Sequence, residues 1–366
     1  MNVAALVSGG VDSSVVVYQL KQMGITPTIF YIRIAMENEE GIMECSSEED
    51  IEITSFIAKK YGCKFEIVSL HHEYWDNVVK YTIDSVKRGL TPNPDVLCNK
   101  LIKFGSFEEK YGYDFDKIAT GHYATTTDID GVTFLSTAKD KWKDQTDFLA
   151  QLQYKQISRI MFPIGSLLKS EVRNIATTEN LPSATRKDSQ GICFLGKIDY
   201  NEFIRRFLGE KDGDIVEIET GKILGKHHGY WFHTIGQRKG LGLSGGPWYC
   251  VAKDIENNVV FASKGYDTIK QYGNVIHLAN FDFISKNILG DMQSPTNIKL
   301  KIRHTPEFAK ATIVRNSGQL SESKEPTYTI QSEQMLQGIA PGQFAVIYDE
   351  CEHLCLGSGM ISGNVG

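Results

Sequence analysis

The sequence predicts an α/β fold: an N-terminal Rossmann-like domain built on a parallel sheet, a small central domain that is mainly β, and a C-terminal antiparallel β-barrel. Three observations carry this expectation. Through the first half of the chain, short apolar runs alternate with helical segments, the pattern of a parallel sheet with helices on its faces. Further on, the helical segments give way to short runs separated by Gly, Asn and Asp. At 366 residues the chain also exceeds what one core usually supports, so two or three domains are expected.

Val3 to Val7 reads as a short buried strand, Ser13 to Met23 as a helix and Thr28 to Ile34 as a second strand, which together make a βαβ unit. Glu48 to Tyr61 has helical character, Lys64 to Leu70 strand character, and Tyr74 to Arg88 is helical again. Lys117 to Thr120 is a strand ending at Gly121-His122. Asp214 to Ile218, Trp248 to Ala252 and Asn258 to Ala262 are the strands of the central part. Asn297 to Arg303, Ala311 to Val314, Thr327 to Ile330 and Gln343 to Tyr348 have the spacing of a small antiparallel barrel or sandwich. A polar loop, Ser317 to Pro326, is expected to be mobile. The domains are expected at 1–198, 199–272 and 273–366.

Composition is that of an ordinary soluble globular protein, with 41% hydrophobic and 23% charged residues. No apolar run approaches the roughly 20 residues that span a bilayer, so no membrane partner is expected. The N-terminus lacks an export signal, and seven thinly spread cysteines fit a reducing cytoplasm better than a disulfide framework. The net charge of -6, taken alone, disfavours a nucleic acid. Eight of the 45 acidic residues, however, fall between Glu37 and Glu52, where no Lys or Arg occurs, and the remaining 37 are matched by 39 basic ones. A basic face is therefore allowed. The acidic run itself reads as a solvated loop entering a helix.

The stretch Leu6-Val7-Ser8-Gly9-Gly10-Val11-Asp12-Ser13 places a Gly-rich turn between a strand and a helix. Such a turn points backbone N–H groups and the positive helix end at a phosphate. No G-x-x-x-x-G-K-[ST] occurs, which disfavours simple γ-phosphate cleavage. The stretch resembles instead the PP-loop of the ATP pyrophosphatase superfamily, whose members cleave between the α and β phosphates and adenylate an oxygen. A second string, Gly240 to Gly245, matches G-x-G-x-x-G, but Gly246-Pro247-Trp248-Tyr249 leads into a strand where a dinucleotide site requires a helix. A flexible or RNA-facing loop is the expected role. Cys351, His353 and Cys355 would share one face of a strand by their period of two, yet no second ligand cluster accompanies them, and no metal site is assigned.

Two further cysteines have distinctive surroundings. In TPNPDVLCNKLIKFG, Cys98 follows Asp95 by three residues at the start of a helix expected from Asp95, whose N-terminus would lower a thiol pKa. In RKDSQGICFLG, Cys193 has Arg186 and Lys187 nearby. Together with ATGHYA (119–124), KDQTDFL (143–149), FPIG, KSEVR, TIGQRKGLGL and APGQFAVIYD (340–349), these stretches closely resemble the tRNA-specific 2-thiouridylases, the MnmA or TrmU family, over essentially the whole chain.

That resemblance implies ATP-dependent 2-thiolation of the wobble uridine of tRNA, with ATP bound by Leu6 to Ser13, Ile32 and Gly121. It implies that Asn93, Pro94 and Asp95 meet the target base. Cys98 resembles the family's nucleophile and Cys193 its persulfide carrier. His122, Lys143, Asp144, Gln145, Arg303, His304 and Gln343 resemble its tRNA contacts. Val7 stands where Met is usual, and His304 where an aromatic is more usual. Mg²⁺ would offset the polyphosphate charge. The implied partners are tRNA (those for Lys, Glu and Gln) and a persulfide-donating sulfur-relay protein or cysteine desulfurase. Cys98 either releases hydrosulfide from the persulfide or forms a transient disulfide, and Asp95 either orients the base or shuttles a proton. The competing readings are a PP-loop amide or amidine synthetase acting on a small metabolite, and a passive RNA-binding or sulfur-carrying module.

Overall fold

The computed structural model describes residues 1–34, 47–188, 200–264, 272–320 and 326–362. The first domain is organised by β1 (Val3–Leu6), β2 (Thr28–Arg33), β3 (Lys64–Ser69) and β4 (Lys117–Ala119). A hairpin of β5 (Thr125–Ile129) and β6 (Val132–Ser136) then leaves the sheet, and β7 (Ile160–Met161) returns to it. The five strands lie in the order β3-β2-β1-β4-β7, parallel throughout. The pleat divides β1 between two cores. Val3, Ala5 and Val7 face helices α1 (Val11–Gln22), α2 (Ser47–Tyr61) and α3 (Lys169–Thr178), through Val15, Leu20, Ile57 and Val172. Ala4 and Leu6 face the opposite layer, which holds Tyr74, Cys98, Ile102 and Phe107.

Two helical segments of that layer differ from the sequence expectation. The segment expected from Tyr74 begins at His71 and runs to Lys87, with wide i→i+5 turns over Trp75–Val79. The segment expected from Asp95 begins at Pro94, because Asn93 Oδ1 accepts the Val96 N–H (3.4 Å) and proline, lacking an N–H, suits the first helical position. From Cys98 to Ser106 the helix continues in the wide form.

Helix α4 (Tyr200–Leu208) leads into the central domain, where β8 (Gly213–Glu217), β9 (Ile223–His227), β10 (Tyr249–Asp254) and β11 (Val259–Ser263) pair in the order β10-β11-β8-β9. The chain after Gly245 enters β10 and not a helix, as expected for a string that is no dinucleotide site. Leu241 from that string is buried beside Ile215, Trp248 and Val260.

The third domain consists of β12 (Tyr272–Phe283), β13 (Thr296–Lys301), β14 (Ala309–Leu320), β15 (Pro326–Gln337), β16 (Phe344–Tyr348) and β17 (Leu354–Ile361). Pairing of β12 with β17 closes these six antiparallel strands into a barrel. Its sheet continues beyond the barrel into the first domain, since β6 pairs with β17 at Ser136↔Leu354 and Leu135↔Cys355. Three expectations are corrected. Strands β14 and β15 are twelve residues each, far longer than the expected Ala311 to Val314 and Thr327 to Ile330, and β12, also of twelve, has no counterpart among the expected strands. The first residues of the expected polar loop, 317–320, belong to β14, with Leu320 opposite Pro326, and 321–325 lie outside the described residues. Cys351 and His353 sit in the turn before β17, where Asp349 Oδ1 accepts the N–H groups of His353 (2.8 Å) and Leu354 (2.7 Å), so they share no strand face with Cys355. No helix among the described residues is long and apolar enough to cross a membrane.

Candidate active site

The strand order reverses between β1 and β4, and in open parallel sheets ligands bind outside the carboxyl ends of the strands at that switch point. The Gly-rich loop leaves β1 there. Val7 still donates to Phe30 O (3.0 Å), after which Ser8 to Gly10 turn the chain into α1. Gly9 has φ +72°, and a Cβ on it would lie 2.8 Å from Asp50 Cα, so no side chain fits. Ser13 Oγ closes the turn by accepting the Ser8 N–H (3.2 Å) and donating to Gly10 O (3.1 Å). Gly121, just past β4, comes so close to α1 that a Cβ would be 3.0 Å from Ser13 N. Ile32 is buried near the end of β2. The expected nucleotide residues thus converge on the ends of β1, β2 and β4.

Charge is concentrated around this loop. Asp12, in the first turn of α1, accepts from Tyr123 Oη (2.9 Å) and from Lys169 Nζ at both oxygens (2.7 and 2.8 Å). Lys169 also reaches Asp188 (2.9 Å), which is bonded to Lys143 (2.7 Å) and Arg173 (2.6 Å) as well. Burial pushes the Asp188 carboxyl up, but hydrogen bonds from Lys143 and Lys169 outweigh it and hold the group well below the usual carboxylate range. Burial, then the neighbouring Asp12, drives the Tyr123 phenol far above its ordinary value. Arg186 spans the loop, donating to Gly9 O (3.1 Å), Asp50 (2.5 Å) and Glu49 (3.2 Å). Part of the expected solvated acidic run is therefore an anchor. Arg173 also donates to Ala184 O (2.9 Å) and Arg186 O (2.5 Å), so two arginines fix the segment that leads toward Cys193. Cys193 itself lies outside the described residues. Sequence reasoning did not assign Tyr123, Lys169, Arg173 or Asp188 to the site, although each stands within a stretch already singled out.

Cys98 is 1% exposed, in the same core as Leu6 and Ile32. The next residue, Asn99, donates to Phe148 O (3.1 Å). The chain entering this helix is held by both later domains. Tyr230 donates its hydroxyl to Lys87 O, and Lys253 Nζ to Gly89 O (3.2 Å). Thr91 N–H donates to Pro341 O (2.9 Å), and Gln343 Nε2 reaches Thr91 O (3.0 Å) and Pro92 O (3.1 Å). Gln343 thereby holds the two residues that precede the Asn93-Pro94-Asp95 segment, of which Asp95 is partly buried.

The remaining expected residues divide into inner and outer groups. His122 is buried, with Nδ1 paired to Thr120 Oγ1 (3.0 Å), and burial followed by Lys103 holds its pKa well below the ordinary value. Gln145 Oε1 accepts the Tyr123 N–H (3.0 Å). Asp144 turns inward to Lys301 (3.2 Å) of the barrel and to Thr146 Oγ1 (2.9 Å). Burial raises the Asp144 carboxyl, and Lys301 only partly offsets this. Both side chains are 2% exposed, so Lys301→Met, which strands the carboxylate, is expected to cost about 3–5 kcal/mol in urea unfolding. A loss below about 1 kcal/mol would mean that the carboxyl is already neutral.

Arg303 and His304 are exposed on the barrel, the former lying against Gly338. His304 Nδ1 is 3.1 Å from Asp147 and its ring is 4.9 Å from that of Phe148. The Asp147 hydrogen bond raises the His304 pKa and burial opposes it. The pair's contribution to stability is then complete below the unfolded value of about 6.5 and is lost as pH rises through the higher folded value. Asp147→Asn should lower the midpoint of the His304 titration followed by NMR, and an unmoved midpoint would show that the contact carries no charge coupling.

Comparison with known proteins agrees along the chain. The family model described as the tRNA methyl transferase HUP domain matches residues 1–197, that of the tRNA methyl transferase PRC-barrel domain 201–264, and that of the aminomethyltransferase beta-barrel domain 275–361. The tRNA-specific 2-thiouridylase MnmA of Parabacteroides distasonis is 66% identical over 361 residues, covering 99% of both chains. That of Porphyromonas gingivalis ATCC 33277 is 62% identical over 366 residues, again covering 99% of each. MnmA 1 of Bacteroides thetaiotaomicron is 59% identical over 362 residues, covering 99% of this chain and 100% of the other.

Proposed function

Since this chain belongs to the tRNA-specific 2-thiouridylase family, we propose that it carries out the ATP-dependent 2-thiolation of the wobble uridine of tRNA. The observation that carries the reading is the charge network at the switch point. There Lys169 and Arg186 bond the PP-loop directly, Lys143 and Arg173 join them through Asp188, and β1, which leads into the loop, borders the core that holds Cys98. The matched domain models carry methyltransferase descriptions, but methyl transfer calls on no polyphosphate loop.

The chemistry requires these parts together. The uridine C2 oxygen is a poor leaving group. Its attack on the α-phosphorus of ATP expels pyrophosphate and turns it into a phosphate ester, which a sulfur nucleophile displaces as AMP. Backbone N–H groups of Ser8 to Gly10 and the surrounding cations meet the polyphosphate, while Asn93 to Asp95 receive the base. Cys193 carries the incoming sulfur as a persulfide. Cys98 then attacks the Cys193 sulfur, either before transfer, which releases hydrosulfide, or after it, which frees the thiolated base. Both routes end in a Cys98–Cys193 disulfide that an external thiol must reduce.

Mg²⁺ fits as an ion carried in on the polyphosphate, since it binds through phosphates, water and one or two carboxylates. The described residues hold no cluster of three ligating side chains, and Asp12 is the carboxylate at the loop that would take one position. Its contribution when bound is to offset phosphate charge. The partners in this reading are the tRNAs for Lys, Glu and Gln and a persulfide-donating relay protein or desulfurase, in the cytoplasm.

The test is nucleoside mass spectrometry of tRNA from a strain lacking the protein, together with AMP formation by the pure enzyme. Loss of 2-thiouridine and tRNA-dependent AMP release are expected. AMP release that ignores tRNA would turn the reading toward a small-metabolite synthetase. Binding should also weaken steeply with salt, because a limited set of basic residues must meet the RNA phosphates. A flat affinity between low and moderate salt would count against a tRNA substrate.

A further inference from the structure

Trp142 is 76% exposed, the most exposed large apolar side chain among the described residues, and its ring makes no ring or cation contact there. A single exposed apolar residue is ordinary. This one differs in how it is held. Its N–H donates to Asp140 Oδ1 (3.1 Å), the Lys143 N–H donates to Asp140 O (3.1 Å), and Asp140 Oδ2 accepts the N–H of Lys169 (2.8 Å). Lys169 is the residue whose ammonium grips Asp12 of the PP-loop, and Lys143 grips Asp188. The turn that displays the indole is therefore pinned to the charge network of the crevice by the residues on either side of it.

Its neighbours are cationic. Lys139 is spent on Glu171 (3.0 Å), but the exposed Lys141 makes no ion pair among the described residues. A solvent-facing ring on a pinned turn, next in sequence to a lysine with no ion pair among the described residues, is the chemistry that receives single-stranded nucleic acid, in which the ring stacks on a splayed base and the cation meets the adjoining phosphate. We propose that Trp142 is a stacking platform for an unpaired nucleobase of the tRNA anticodon loop, with Lys141 meeting its backbone. This rests on the functional reading given above and adds a subsite to it.

The experiment compares the wild type with Trp142→Leu and Trp142→Tyr, using an unmodified tRNA transcript and a saturating sulfur donor. Stacking of one base on an aromatic residue is worth enough that the leucine variant should show a KM for tRNA about tenfold higher. Its kcat and its KM for ATP should be unchanged, and tyrosine should restore most of the loss. Indole fluorescence of the wild type should be quenched by tRNA, and the tryptophans left in the leucine variant should not respond. An unchanged KM for tRNA in the leucine variant overturns the proposal whatever the fluorescence does. So does an altered KM for the sulfur donor alone, which would make the ring a protein contact. A wild-type protein that thiolates no tRNA would instead overturn the functional reading, and the subsite with it.

Discussion

Cys98→Ser should accept a persulfide from its donor and still make no 2-thiouridine, whereas Cys193→Ser should fail to be loaded at all. Thiolation should fall by a factor on the order of a thousand or more in both, the scale of losing a nucleophile that acts as part of a unit. Adenylation should survive in both, because neither sulfur takes part in the attack on ATP. Serine replaces a single atom in the buried core around Cys98, so loss of the fold would not account for the result. Persulfide mass spectrometry read beside nucleoside analysis separates the roles. A persulfide on Cys98 of the Cys193→Ser protein, with thiolation retained, would reverse them, and normal thiolation by both variants would make the thiols structural.

The second large effect is expected at Asp12. Alanine there removes the group that holds Lys169 and Tyr123 against the PP-loop and leaves Lys169 to Asp188. AMP formation should drop on the order of a hundredfold, the scale of losing one preorganised group beside developing phosphate charge. Affinity for tRNA should be nearly unaltered, since in the proposed reading Asp12 serves the nucleotide. An unchanged rate of AMP release would remove the PP-loop assignment, and an equal loss of tRNA binding would make Asp12 a structural residue.

The parts of the fold and site that were legible in the sequence are those dictated locally. A strand, a Gly-rich turn and a helix succeed one another within residues 3–22, so the loop could be read from hydrophobic pattern and glycine placement alone. The string from Gly240 to Gly245 could be told from a dinucleotide site in the same local way, since the chain beyond it enters a strand. What escaped was set by distant contacts. Tyr123 and Lys169 matter because they meet Asp12 from 111 and 157 residues away, and no spacing rule predicts that. Asp144 stands in the sequence as one more polar residue beside Lys143 and Gln145, yet it is buried against Lys301 of another domain. The hairpin β5–β6 was missed because its polar, half-exposed strand β5 lacks an apolar run. The whole of β12 and the ends of β14 and β15 were missed because pairing with neighbours, and not their own composition, keeps them extended.

That hairpin has a consequence for taking the molecule apart. Residues 125–136 are covalently part of the first domain, but the end of β6, at Leu135 and Ser136, pairs with β17, which begins only at Leu354. A fragment ending before the barrel would carry β6 with its barrel-facing edge unpaired, and an uncovered edge invites pairing with other chains. A barrel fragment would in turn lose the strand that covers the start of β17. Recombination, truncation or transplantation at the breaks visible in the sequence would therefore cut through a continuous sheet. The catalytic domain and the barrel should be exchanged, expressed and inherited as one unit.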